Sequence, residues 1–96
     1  MHGYGEYKWG DGRSYEGNYI RDKKHGFGKY TWADGRIYIG YWREGKQEGF
    51  GKYLIKSEVK FGFWENGKRM SWYTDKEVEE FIKKENKLFL NVLIGK

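Results

Sequence analysis

The chain has 96 residues, 21% of them aromatic, with 15 glycines, no cysteine and no proline, and a formal net charge of +5. A chain this short buries too little surface to enclose a large active site, and without thiols it forms neither a disulfide framework nor a cysteine-ligated zinc site. Its aromatic richness excludes low-complexity disorder; no apolar run nears transmembrane length, so the chain is expected to be cytoplasmic.

The first element is a hairpin, and it recurs. His2, Gly3, Gly5, Tyr7, Trp9, Asp11, Gly12, Arg13, Tyr15, Gly17 and Lys23 reappear 23 residues later as His25, Gly26, Gly28, Tyr30, Trp32, Asp34, Gly35, Arg36, Tyr38, Gly40 and Lys46. A fixed period of this length marks a repeat architecture. Repeats at 2–24, 25–47 and, less faithfully, 48–70 each predict one hairpin, about six strands in all. Asp34-Gly35 between alternating apolar runs supplies the turn. A three-residue loop at Ala33-Asp34-Gly35 would set Tyr30 opposite Tyr38 and Gly28 opposite Gly40, gathering the Gly, Tyr and Trp positions on one face; a two-residue loop would split them. Glycine weakens a strand unless something occupies the missing side chain's place. Tyr30, Tyr38 and Trp42 are therefore expected to lie over Gly26, Gly28 and Gly40.

The polar connections 21–24, 44–47 and 66–69 are too short for parallel crossovers, so the strands should form a plain antiparallel meander. In the third repeat Ile55 replaces the tryptophan, Lys56-Ser57-Glu58 replaces the Asp-Gly turn, and the interval from Ile55 to Gly62 is one residue shorter. Lys60 stands where Tyr38 stood. Ser71-Trp72-Tyr73 then replaces the next Gly-aromatic-Gly, which ends the array at 73. One α-helix is expected over 74–95, opened by a capping box at Thr74 and Glu77, with Val78, Phe81, Ile82, Phe89 and Val92 on one stripe and Gly95 as its stop. Its favoured role is a cap over the last repeat and part of the aromatic face; the alternative is a docking helix or linker. The fold class is thus mainly β: an elongated, single-layer antiparallel meander with a C-terminal helix.

Signals for chemistry are weak. Gly40–Gln47 and Gly62–Arg69 approach the phosphate-binding loop pattern, but both lack its Ser/Thr and run from strand into turn, so no nucleotide is expected. His2 and His25 share a repeat position that Glu48 fills in the third; no ligand cluster completes a metal site, and a loop-packing role is expected. No cofactor, metal or catalytic group is expected. The aromatic rings are read as internal packing, so nucleic acid is not expected as a partner.

The string Tyr38-x-Gly40-x-Trp42-x-x-Gly45-Lys46-x-x-Gly49-x-Gly51-x-Tyr53 resembles the MORN (membrane occupation and recognition nexus) repeat, as does Tyr15-x-Gly17-x-Tyr19 followed by Lys23 through Gly35. The likeness covers residues 2–70 and departs from the pattern at Lys56–Lys60. It implies a non-catalytic scaffold, of the kind that organises cytoskeletal and membrane-associated structures and occurs beside enzymes such as phosphatidylinositol phosphate kinases.

The expected function is a protein-interaction module, a piece of a longer protein, that binds a peptide, a helix or a second copy. Its expected surface is the face holding Tyr30, Trp32, Tyr38, Trp42, Tyr53 and Trp64, or the first strand's open edge. The alternative is peripheral recognition of anionic phospholipid, including phosphoinositides, through Lys23, Lys24, Arg43, Lys46, Lys68 and Arg69. The positive excess lies wholly within residues 1–73, which carry 14 Lys or Arg against 9 Asp or Glu.

Overall fold

The computed structural model describes residues 2–95. Seven strands form one antiparallel sheet in strict chain order: β1 (Gly3–Lys8), β2 (Ser14–Ile20), β3 (Lys23–Thr31), β4 (Ile37–Arg43), β5 (Lys46–Ile55), β6 (Glu58–Glu65) and β7 (Lys68–Trp72). Two helices follow, α1 (Asp75–Lys83) and α2 (Lys87–Ile94). The meander is as expected, with a seventh strand where the array was expected to end.

Two turn types alternate. At the Asp-Gly end, Trp32 and Arg36 pair through Trp32 N–H to Arg36 O at 2.9 Å, closing the three-residue loop 33–35 with Gly35 at φ +95°. That geometry demands a residue tolerant of positive φ. The Asp34 carboxylate accepts from the Arg36 backbone N–H at 3.1 Å and pairs with its guanidinium at 2.8 Å, while Arg36 lies 5.2 Å over Trp32. Asp11, Arg13 and Trp9 repeat this unit. The Arg N–H bonds, first among the causes, hold both carboxyls below their ordinary pKa.

At the other end, tight turns place Arg21 and Asp22, then Glu44 and Gly45, then Asn66 and Gly67 at positive φ. One side chain from the preceding strand, or in the first case from just ahead of it, secures each turn. Arg21 N–H donates to His2 Nδ1, Glu44 N–H to His25 Nδ1, and Asn66 N–H to Glu48 Oε1, at 3.3, 3.4 and 3.0 Å. The equivalence of His2, His25 and Glu48 is therefore that of an acceptor, which imidazole nitrogen and carboxylate both supply. His25→Glu should leave stability within about 0.5 kcal/mol, whereas His25→Ala should cost about 1 kcal/mol in urea unfolding by removing a turn's acceptor.

The register gathers like with like. Gly5, Gly17, Gly28, Gly40, Gly51 and Gly62 are successive cross-strand partners, forming a bare row across six strands. Tyr7, Tyr15, Tyr30, Tyr38 and Tyr53 form a second row beside it. In the third repeat the missing residue comes out of the loop: Ile55 pairs with Glu58, leaving Lys56-Ser57 as a two-residue turn, and Gly51 still faces Gly62. At β7 the bare row stops, because Trp72 stands opposite Gly62.

The assignment of rings to glycines needs correction: Tyr38 does reach Gly40, but the ring against Gly28 is that of Tyr15. Tyr15 lies over Gly17 and Gly28, Tyr38 over Gly40 and Gly51, and Trp64 over Gly51 and Gly62. Gly26 is not such a platform. It sits at φ +80° beside the register shift between Gly17 and Tyr19, where a side chain would meet only Asn18. In Gly26-Phe27-Gly28 and Gly49-Phe50-Gly51 the first glycine sits at a bulge and the second admits a ring.

The single helix expected over 74–95 is two. The Thr74–Glu77 capping box is present, but Glu85 turns to φ +52° and Asn86 caps a new helix by accepting from Phe89 N–H at 3.2 Å. The helices also lie on the other side of the sheet from the one expected. Phe89 packs on Phe50, Phe61 and Phe81 with centroids 5.7, 5.3 and 4.9 Å apart. Three polar contacts tie α2 to the sheet: Tyr41 Oη donates to Leu88 O at 2.9 Å, Lys52 Nζ to Leu93 O at 3.2 Å and Asn91 Nδ2 to Tyr41 Oη at 3.4 Å. An ammonium at the last turn complements that helix end. Phe89 and Val92 are buried, whereas Ile82, expected on the stripe, is exposed.

Candidate interaction face

The face opposite the helices is a continuous layer of rings. Tyr15, Tyr19, Tyr38, Trp42 and Trp64 are buried in it, and Trp9, Tyr30, Trp32, Tyr53 and Trp72 pack against them half-buried. Most contacts are edge-to-face: Tyr15 to Trp42 at 5.6 Å and 89°, Tyr38 to Trp42 at 5.3 Å and 85°, Tyr38 to Trp64 at 4.9 Å and 76°. Such pairs hold beyond the area they bury. The polar tips are satisfied inward, with Tyr15 Oη donating to Asn18 O, Tyr38 Oη to Tyr41 O and Trp42 Nε1 to Gly28 O. Burial pushes the Tyr15 and Tyr38 phenols well above their ordinary pKa.

The six ring residues proposed from sequence do share this face, in two tiers. Tyr38, Trp42 and Trp64 are buried within the layer, while Tyr30, Trp32 and Tyr53 keep part of their surface in solvent. Trp9 and Trp72, outside that set, also border the open surface. Trp9 was legible as the repeat equivalent of Trp32; Trp72 had no equivalent to identify it.

The six basic residues divide. Lys23, Arg43 and Lys46 line a polar groove of about 600 Å³ at the tight-turn end, interleaved with Glu44, Glu48 and Glu65. Lys68 opens β7 at this end, beyond the last tight turn. Lys24 and Arg69 instead turn onto the rings. The Lys24 ammonium lies 5.4 Å from the Tyr30 centroid and Arg69 lies 4.5 Å over Trp72. Desolvation, with Arg13 adding to it, lowers the Lys24 pKa. The two phosphate-loop-like strings run from β4 and β6 into tight turns, with no helix N-terminus behind them.

A family model for the MORN repeat matches residues 1–12, 15–35 and 38–57. The chain belongs to the MORN repeat family. MORN repeats are non-catalytic modules of protein and membrane interaction, and the matched segments fall on β1 through β5. β6, β7 and both helices lie beyond the MORN match. A search of curated proteins gives no match. Among the described residues, no helix is long and apolar enough to cross a membrane.

Proposed function

We propose that the protein is a non-catalytic interaction module that receives an extended peptide segment on its Tyr/Trp face. The observation that carries this reading is the unequal treatment of the two faces. The chain's own helices cover the Phe/Ile side at β4 and β5, and among the described residues the ring layer has no such cover. Tyr30, Trp32 and Tyr53 offer part-exposed rings on a rigid bed of buried ones, the kind of preorganised aromatic surface on which binding energy concentrates. A second copy would instead add at the β1 edge, where one side of the strand lacks a partner.

The test is selection of a displayed random-peptide library on the folded protein, followed by titration against Trp32→Ala/Tyr53→Ala. We expect selected peptides to lose about tenfold or more in affinity while the circular dichroism spectrum is unchanged. Peptides indifferent to both substitutions would refute the reading.

A second reading, recognition of anionic phospholipid, draws on the basic groove at the tight-turn end. Lys23, Arg43 and Lys46 converge there, but the three glutamates in the same groove oppose an anionic headgroup. Phosphoinositide vesicles should therefore bind weakly even at low salt. Strong, salt-sensitive pelleting would favour this reading over the first.

A further inference from the structure

One register position differs informatively among the repeats. Lys24, Gln47 and Arg69 stand opposite Tyr19, Trp42 and Trp64, at the same place in β3, β5 and β7. In the first repeat the Lys24 ammonium sits 5.6, 5.5, 5.4 and 5.6 Å from the centroids of Trp9, Tyr15, Tyr30 and Trp42. It is the chain's own cation in a four-ring cage. At the third position the Arg69 guanidinium lies over Trp72. The middle residue, Gln47, carries no charge.

The rings around Gln47 repeat those around Lys24. The internal repeat carries Trp9, Tyr15, Tyr30 and Trp42 onto Trp32, Tyr38, Tyr53 and Trp64. Trp32 lies 5.7 Å from Tyr53 and Tyr38 4.9 Å from Trp64, against 6.0 Å for Trp9 and Tyr30 and 5.6 Å for Tyr15 and Trp42. A groove of about 300 Å³ opens beside Trp32 and Gln47, and Lys24, Tyr30, Trp42 and Lys46 also line it. The middle repeat thus keeps the ring arrangement without a cation of its own at the position that supplies one in the repeats on either side.

We propose that this middle cage receives a lysine side chain from a partner segment, seated where Lys24 sits in the first repeat. Ring faces present negative quadrupole potential to an ammonium, the means by which aromatic cages recognise cationic groups. The choice of lysine follows from the internal precedent, since Lys24 reaches its cage from a neighbouring extended strand. An extended partner would present its own lysine in the same way, so the inference rests on the peptide-binding reading above. The nearby Arg36 is no obstacle. It lies 5.2 Å over Trp32, as Arg13 lies 5.2 Å over Trp9, and Lys24 occupies its cage with Arg13 alongside.

The test uses n-butylammonium, which reproduces the lysine side chain, against the neutral 1-butanol, with tryptophan indole N–H resonances as the readout. In the wild-type protein the Trp32 indole should shift saturably with butylammonium, about fivefold tighter than with 1-butanol, while the Trp9 indole stays still. Gln47→Lys should fill the cage from within and abolish the Trp32 response. Lys24→Gln should open the first cage, so that Trp9 now responds. Equal responses to amine and alcohol in the wild-type protein overturn the proposal, as does a Trp32 response that survives Gln47→Lys in a variant with a folded amide spectrum. The probe is not a peptide, so its failure removes the cage alone, whereas ligands indifferent to Trp32→Ala/Tyr53→Ala remove the peptide reading.

Discussion

Gly51→Ala should destabilise the protein by about 3 kcal/mol in urea unfolding, because a methyl group there has nowhere to go. Away from such a site, replacing a strand glycine by alanine stabilises by about 0.5–1 kcal/mol, since the unfolded chain loses freedom. Here the sign reverses. A Cβ on Gly51 would collide with the Tyr38 ring and stand 2.7 Å from Trp64 Cζ3, and neither ring can yield, because both are buried among other rings. Gly10→Ala is the control: nothing lies within 4 Å of its Cβ position, so its effect should stay within about 0.5 kcal/mol. Combining Gly51→Ala with Tyr38→Ala should cost clearly less than the two separately, because the second change removes what the first strikes. Strict additivity would mean that the ring does not rest on the glycine, and the account of the sheet would fall with it.

That contact explains which parts of the fold were legible. Gly17 and Gly40 follow Tyr15 and Tyr38 by two residues, Gly28 and Gly51 precede Tyr30 and Tyr53 by two, and a glycine inside a strand poses a question that only a neighbouring ring answers. The three-residue loop followed from the same economy, because only that register puts glycines and rings together. The role of Gly26 did not. Two glycines separated by one residue look equivalent in sequence, and only the register shift between Gly17 and Tyr19 separates the bulge former from the platform.

The side chosen by the helices was legible in residues that do not repeat. Glu16 and Asn18 flank Gly17 on the far face, Ile39 and Tyr41 flank Gly40, and Phe61 and Phe63 flank Gly62. The far face therefore turns apolar towards the C-terminus, where Phe81 and Phe89 need cover. A reading built on periodicity passes over such a gradient, because the gradient is what the repeats do not share. The break at Glu85 had no comparable signal, since a lone positive φ at a glutamate leaves no mark in composition. Of the candidate surface, the shared face was legible from the alternation, but the two tiers of burial depend on which ring covers which. Lys24 read as one more basic turn residue until the four rings around its ammonium became visible.

Phe89→Ala should release the helices from the sheet while the sheet remains folded. Phe89 is the joint of the far-face cluster, in contact with Phe50 and Phe61 from the strands and Phe81 from α1, and deleting a buried ring of this kind costs about 3–5 kcal/mol. Outside that cluster the helices are held mainly by Val92, the Lys52 bond to Leu93 O and the Tyr41 bond to Leu88 O, and α1 buries no residue of its own. The strands keep their full hydrogen-bond ladder and the ring layer without them, so the loss should fall on a local opening rather than on global unfolding. The chain carries the probe that separates the two. All five tryptophans belong to the ring layer and none to the helices, so tryptophan fluorescence follows the sheet while ellipticity at 222 nm follows the helices as well. In the variant the helical signal should melt at lower urea than the fluorescence. If both signals instead move together, the helices and the ring layer form one cooperative unit, and the uncovered Tyr/Trp face depends on a cover bound to the opposite side.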